Sequence, residues 1–129
     1  MWTFIITSGA WLDPAGAVVA YGYSGAPGAV NDATRTAEHN VGPICVGLWR
    51  KGKARDTATH GPCFIPLTPE PGTETHGRSA FGIHGDKKDP AAPKRSASEG
   101  CVILPRDVRD AVDASPDDLV RVVAHPADV

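Results

Sequence analysis

The sequence predicts a mainly β domain with one short helix, and three observations lead there. Its apolar runs are short, rich in β-forming residues and bounded by turn signals. Gly 14 and Pro 12 make up about a fifth of the 129 residues, and both residue types punctuate helices. Only the segment after Pro105 carries an apolar stripe at helical spacing.

The elements follow in order. Trp2 to Ile6 reads as a first strand, closed by the turn Thr7-Ser8-Gly9, and Ala17 to Tyr23 as a second. Ser24 to Asn40 is a loop broken by Gly25, Pro27, Gly28 and Asn31, with room for a helical turn in Asp32 to His39. Val41 to Arg50 reads as a third strand, with Pro43 near its start, where a missing N–H is tolerated. Pro62 to Leu67 is another apolar run, followed by a Pro/Gly/Thr loop to His76. Ala80 to His84 is a strand whose alternation sends Phe81 and Ile83 to one face and Gly82 and His84 to the other. A polar connection from Asp86 to Glu99 leads to the apolar Cys101 to Leu104. Pro105 suits the first turn of a helix with Val108, Ala111 and Val112 on one stripe, ended by Ser115-Pro116. Leu119 to Ala124 makes a last strand. The strands are expected to be mostly antiparallel, and 129 residues without repeat, coiled coil or linker suit one domain over 1–129.

Composition excludes several functions. The net charge of −2 gives no basic field for nucleic acid or an anionic membrane. The run Ala15 to Ala20 is far too short to span a bilayer, so no membrane insertion is expected. Met1 to Thr7 has no basic n-region, so the expectation is a chain made in the cytoplasm and exported, if at all, without a cleavable signal. Cys45, Cys63 and Cys101 are too few for a disulfide framework, and their odd number leaves at least one thiol unpaired. Cys45 and Cys63 either pair in an oxidising compartment or remain two buried thiols. Trp2, Trp11 and Trp49 read as packing residues rather than a carbohydrate platform. His60, His76 and His84 lack the spacing of a metal motif, so neither metal nor cofactor is expected.

The sharpest chemistry lies in Phe81-Gly82-Ile83-His84-Gly85-Asp86 and Ser96-Ala97-Ser98-Glu99-Gly100-Cys101. His84 ends one strand and Cys101 opens another. If the two strands are neighbours, imidazole and thiol meet, and a histidine beside a thiol supports a reactive thiolate. Gly100 allows a tight turn before the nucleophile, and the amides around Cys101 then offer an oxyanion site. Gly85 permits close approach, and a backbone carbonyl or Asp86 can hold the His84 tautomer. Arg78 is a candidate binder of a substrate carboxylate, because its planar fork matches that group.

The pattern IHG, a polar loop, then SxGC and two aliphatics resembles the catalytic signature of L,D-transpeptidases of the YkuD type. Tyr23-Ser24-Gly25, Asn31, Gly42-Pro43-Ile44, Leu67-Thr68-Pro69 and Gly77-Arg78-Ser79 extend the likeness over residues 21 to 105. Together they look most like the small L,D-transpeptidase-like effectors that bacteria inject into rivals by type VI secretion. The resemblance implies a β-sandwich-like domain acting on peptidoglycan stem peptides, with Cys101 as nucleophile, His84 as base and the Gly100 and Cys101 amides as oxyanion hole. It further implies a thioester resolved by water, as a carboxypeptidase, or by a D-amino acid or amine, as an exchange or cross-linking enzyme. Ser79, Asp86, Ser98, Tyr23 and Ser24 fall where cleft and substrate contacts are expected. An injected toxin would act in the periplasm of its target and would have an immunity protein and a secretion apparatus as partners. The chain departs from the typical pattern at Glu99, where His or a similar residue is usual, and at Ile103, where Arg is usual. Cys45 stands where the effector branch carries proline.

Overall fold

A computed structural model describing residues 1–129 places the chain in a ten-stranded mixed sheet with one helix. The strands are β1 (Trp2–Ile5), β2 (Ala10–Leu12), β3 (Val18–Tyr21), β4 (Tyr23–Ser24), β5 (Gly47–Lys51), β6 (Arg55–Thr57), β7 (Gly61–Pro69), β8 (Phe81–His84), β9 (Val102–Ile103) and β10 (Leu119–Val123). Helix α1 (Arg106–Ala114) precedes β10, and short 3-10 turns occupy Ala33–Arg35 and Pro126–Asp128. The expected mainly β fold with a short helix is the fold observed.

The sheet order is β3-β2-β1-β10-β5-β7-β8-β9-β4, with β6 paired to β7. Most pairs are antiparallel, as expected, but β1 with β10 and β8 with β9 are parallel. Strands β3 and β4 stand at opposite ends of this order, yet only Gly22 separates them in sequence. The sheet must therefore curl around a shared core. Trp2, Phe4 and Trp11 from one end join Ile83, Val102 and Leu104 from the other in one buried cluster, with Trp49 and Ile65 between them. Fully burying side chains of this kind stabilises the fold by roughly 1.5–3 kcal/mol each. A Cβ on Gly22 would overlap the Ile103 carbonyl oxygen, so only glycine fits the crossing.

The structure departs from the sequence expectations in three places. Ala17 to Tyr23 is two strands, because Gly22 breaks the run at that crossing. Strands β2 and β6 are additions; each has three residues, and β2 is buried throughout, so neither length nor alternation announces it. The run from Val41 joins the sheet only at Gly47, because side chains claim its earlier backbone groups. Arg78 binds the Gly42 and Pro43 carbonyls, and the Ser24 hydroxyl accepts the Ile44 N–H. All four residues of β8 are buried, so His84 faces protein and not open solvent.

Helix α1 begins directly after Pro105, which serves as its N-cap. Its buried residues are Val108, Arg109 and Val112, whereas Ala111 is exposed. An arginine thus occupies the place expected for an apolar side chain. No helix is long and apolar enough to cross a membrane. All three cysteines are free thiols, so Cys45 and Cys63 are not bridged.

Candidate active site

Parallel pairing sets Ile83 opposite Val102 and His84 opposite Ile103. That register brings the end of β8 beside the residue preceding β9, and so His84 beside Cys101. The ligating atoms of His84, Cys101 and a further residue, His60, all lie within 4.8 Å of one another. They open onto a cleft of about 980 Å³ whose walls include Tyr23, Ser79, Asp86, Lys87 and Arg109.

His84 is buried, and its Nδ1 lies 2.9 Å from the Gly85 carbonyl oxygen. With Nδ1–H donating there, Nε2 is left as the basic nitrogen. Burial pulls the His84 pKa below its ordinary value of 6.5; the Gly85 hydrogen bond opposes this, and His60 and Arg109 add to it. The imidazole is therefore neutral at pH 7.

Cys101 is 8 % exposed, and burial pushes its thiol up to about 11 from an ordinary 9.0. The Gly82 N–H facing the sulfur favours the thiolate but does not outweigh burial. Sγ donates to the Ala80 carbonyl at 3.8 Å. The expected histidine-stabilised thiolate is thus not the resting state: thiol and imidazole sit close together, both neutral.

The loop before Cys101 is organised by Ser98. Its Oγ donates to the Cys101 carbonyl at 2.6 Å and accepts the Gly25 N–H at 2.9 Å and the Gly100 N–H at 3.0 Å. This corrects one expectation, because the Gly100 amide is consumed inside the loop. The Cys101 N–H has no acceptor in the protein and remains the available oxyanion donor. Ser98 is 1 % exposed and holds the loop rather than substrate. Gly100 is required by both conformation and space: its φ is +138°, and a Cβ there would lie 2.6 Å from Arg78 Nη2.

Arg78 is likewise placed away from substrate. It is buried, with its guanidinium donating to the carbonyls of Thr36 at 2.6 Å, Pro43 at 2.7 Å, Gly42 at 2.9 Å and Glu99 at 3.3 Å. It also stacks over Phe81, 5.0 Å from the ring centroid. Both Nη groups are spent on these carbonyls and Arg78 does not line the cleft, so the residue pins the loop before Cys101 to the 36–43 loop instead. Ser24 is fully buried and donates to the Gly100 carbonyl at 3.0 Å, which is again a supporting role.

Tyr23, Asp86 and Ser79 do reach the cleft. The Tyr23 hydroxyl donates to Asp86 Oδ1 at 2.7 Å and accepts the Ala97 N–H at 3.1 Å. Asp86 is therefore tied to Tyr23, and the Gly85 carbonyl alone orients His84. Gly85 also gives the expected close approach, because Arg109 Nη2 lies 2.6 Å from where its Cβ would be.

Two cleft residues escape the sequence reading in these roles. His60, on the turn into β7, stacks on Phe64 with ring centroids 4.7 Å apart and lies 4.7 Å from the His84 ring. Spacing alone groups it with His76, which is exposed and whose carbonyl pairs with His39. Arg109 carries a legible signal: a charge between Val108 and Val112 on an otherwise apolar helix face. His60, His84 and Cys101 make a donor set of two ring nitrogens and one sulfur, which suits a borderline-soft ion such as zinc with a fourth position open. The two chemistries this cluster supports are thiol acyl transfer and metal binding. Set against models of known families, curated proteins and solved structures, the chain matches none.

Proposed function

We propose that the protein is a cysteine enzyme acting on peptidoglycan stem peptides through a Cys101 thioester, as an L,D-carboxypeptidase, an L,D-transpeptidase exchanging D-amino acids, or both. One observation carries this reading: a buried thiol and a neutral imidazole of fixed tautomer meet at the floor of an open cleft. The resemblance of IHG and SxGC to the L,D-transpeptidase signature supplies the substrate class.

The reaction follows from the groups present. When substrate binds, His84 Nε2 takes the thiol proton as Sγ attacks the scissile carbonyl, and the Cys101 N–H faces the developing oxyanion. The C–N bond then breaks, the imidazolium returns its proton to the departing amine, and an acyl thioester remains on Cys101. Water or an incoming amine attacks that thioester and regenerates the thiol. In this reading the protein is an exported antibacterial effector, working in the periplasm of a target cell and held in check by an immunity partner.

The test is to incubate the protein with tetrapeptide-rich peptidoglycan, with and without free D-amino acids, and to weigh the products. Loss of the terminal residue shows hydrolysis and its replacement shows exchange. Cys101→Ala should abolish both with the melting temperature nearly unchanged, and persistent cleavage by that variant would sink the mechanism. A non-catalytic wall-binding or phage-associated module is the other reading, favoured by the departures at Glu99 and Ile103 and marked by sacculus binding without product. The His60–His84–Cys101 cluster favours a metal hydrolase as a third, and a chelator would stop that activity while leaving a thiol enzyme intact.

A further inference from the structure

Arg109 is a charged residue buried in the cleft wall, 6 % exposed, on α1. Two of its nitrogens are engaged. Nε donates to the Leu104 carbonyl at 3.0 Å, and Nη1 to those of Pro62 at 2.7 Å and Cys63 at 3.1 Å. Nη2 has no acceptor in the protein and abuts Gly85, the residue that orients His84. No ion pair includes Arg109. Asp86, the nearest acid in sequence to Gly85, is occupied by the Tyr23 hydroxyl and the Lys87 N–H.

A buried guanidinium without a counter-ion is costly, and burial depresses its basicity accordingly. Three carbonyls fix its orientation, so its open edge is already aimed and loses little entropy on meeting an anion. Its position also says which part of a substrate it meets. The departing amine must lie beside His84 to collect the proton, and Arg109 adjoins the residue after His84. In a peptide the carboxylate of a departing terminal residue is one carbon from that amine.

We infer that Arg109 Nη2 receives the free α-carboxylate of the substrate's C-terminal residue, so that the protein cuts only at the last peptide bond. This rests on the acyl-transfer reading and assigns its specificity for the chain end to Arg109. Cys101 sulfur bonds to the penultimate acyl carbon, the C–N bond to the terminal residue breaks, and that residue leaves as a free amino acid with its carboxylate on Arg109.

The first arm of the experiment uses stem tetrapeptide against its C-terminal amide. The amide should be processed about tenfold more slowly or worse in kcat/KM, the scale of one charge-assisted hydrogen bond. The second arm needs no peptidoglycan chemistry. Alkylation of Cys101, mapped by peptide mass, is compared for anionic iodoacetate and neutral iodoacetamide, each normalised to glutathione. Iodoacetate should be favoured about tenfold, and Arg109→Gln, checked by thermal melting, should erase the preference. Lys87→Gln with Lys88→Gln should keep it. Loss of preference in that double variant, equal normalised alkylation by the two reagents in the wild type, or equal turnover of acid and amide overturns the inference. The alkylation comparison uses wild-type protein, so it decides even if Arg109→Gln fails to fold. No stem product together with a surviving, Arg109-dependent iodoacetate preference overturns the acyl-transfer reading and leaves the anion site standing.

Discussion

At the residue scale, one environment, burial, acts in opposite directions on the two groups of the proposed reactive pair. Burial raises the Cys101 thiol to about 11 and lowers the His84 imidazole, so both groups are neutral across the physiological range. In the proposed reaction, proton transfer then accompanies attack, with His84 as the general base. The pH dependence follows. Protonating His84 removes the base, so kcat/KM should fall on the acid side with a midpoint below 6.5, the ordinary imidazole value. No alkaline loss from the thiol is expected below about 11. An acid midpoint at or above ~7 would contradict a depressed His84, and an alkaline loss well below about 11 would mark a pre-formed thiolate–imidazolium pair instead. Ala80 adjoins this pair: its φ of +64° is unusual for a residue with a Cβ, and its carbonyl accepts the hydrogen bond from the resting thiol.

At the element scale, two arginines do what secondary structure does not. The segment before β5 and the loop before β9 have few backbone partners of their own, and Arg78 joins them through four carbonyls. Replacing it with Ala strands several buried acceptors. The expected cost is on the order of 3 kcal/mol or more. Chemical denaturation measures it, and because Arg78 does not line the cleft, KM below the melting transition should change little. A raised KM with unchanged stability would return Arg78 to the role of carboxylate binder.

The same element view explains how much is legible beforehand. His84 and Cys101 can be read because each lies at the tip of a short apolar run beside a glycine, a local pattern. The roles of Arg78 and Arg109 cannot, because the carbonyls that Arg78 binds lie up to 42 residues away and those that Arg109 binds up to 47. His60 reaches the site only because β7 pairs with β8, which is a tertiary fact. The Gly100 amide looks available in the sequence, and only the fold shows the Ser98 hydroxyl taking it. Motif positions carry the proposed chemistry, while the distribution of hydrogen bonds needs coordinates.

At the scale of the whole molecule, the curled sheet makes distant positions matter to the site. Gly22 joins β3 to β4, and β4 pairs with β9, the strand that follows Cys101. Its φ is not in the left-handed region, so the restriction there is space alone. Gly22→Ala should cost ~1–3 kcal/mol through overpacking. It should also loosen β4 against β9 first, read as faster amide exchange at Val102 and Ile103 than in the distant β1. Uniform acceleration throughout the sheet would contradict that order.

The place of β10 has a temporal consequence. This strand comes last in sequence but lies between β1 and β5, with Phe4 opposite Val122 on one side and Trp49 opposite Val120 on the other. Without residues 119–123, β1 to β3 can pair only with one another and have no link to β5 and the strands beyond it. Pairings between chain ends are slow to form, because the loop must close before any contact rewards it. Strands β1 to β3 therefore join the rest of the sheet only through β10, whereas β8 and β9, which set His84 beside Cys101, pair with each other without it.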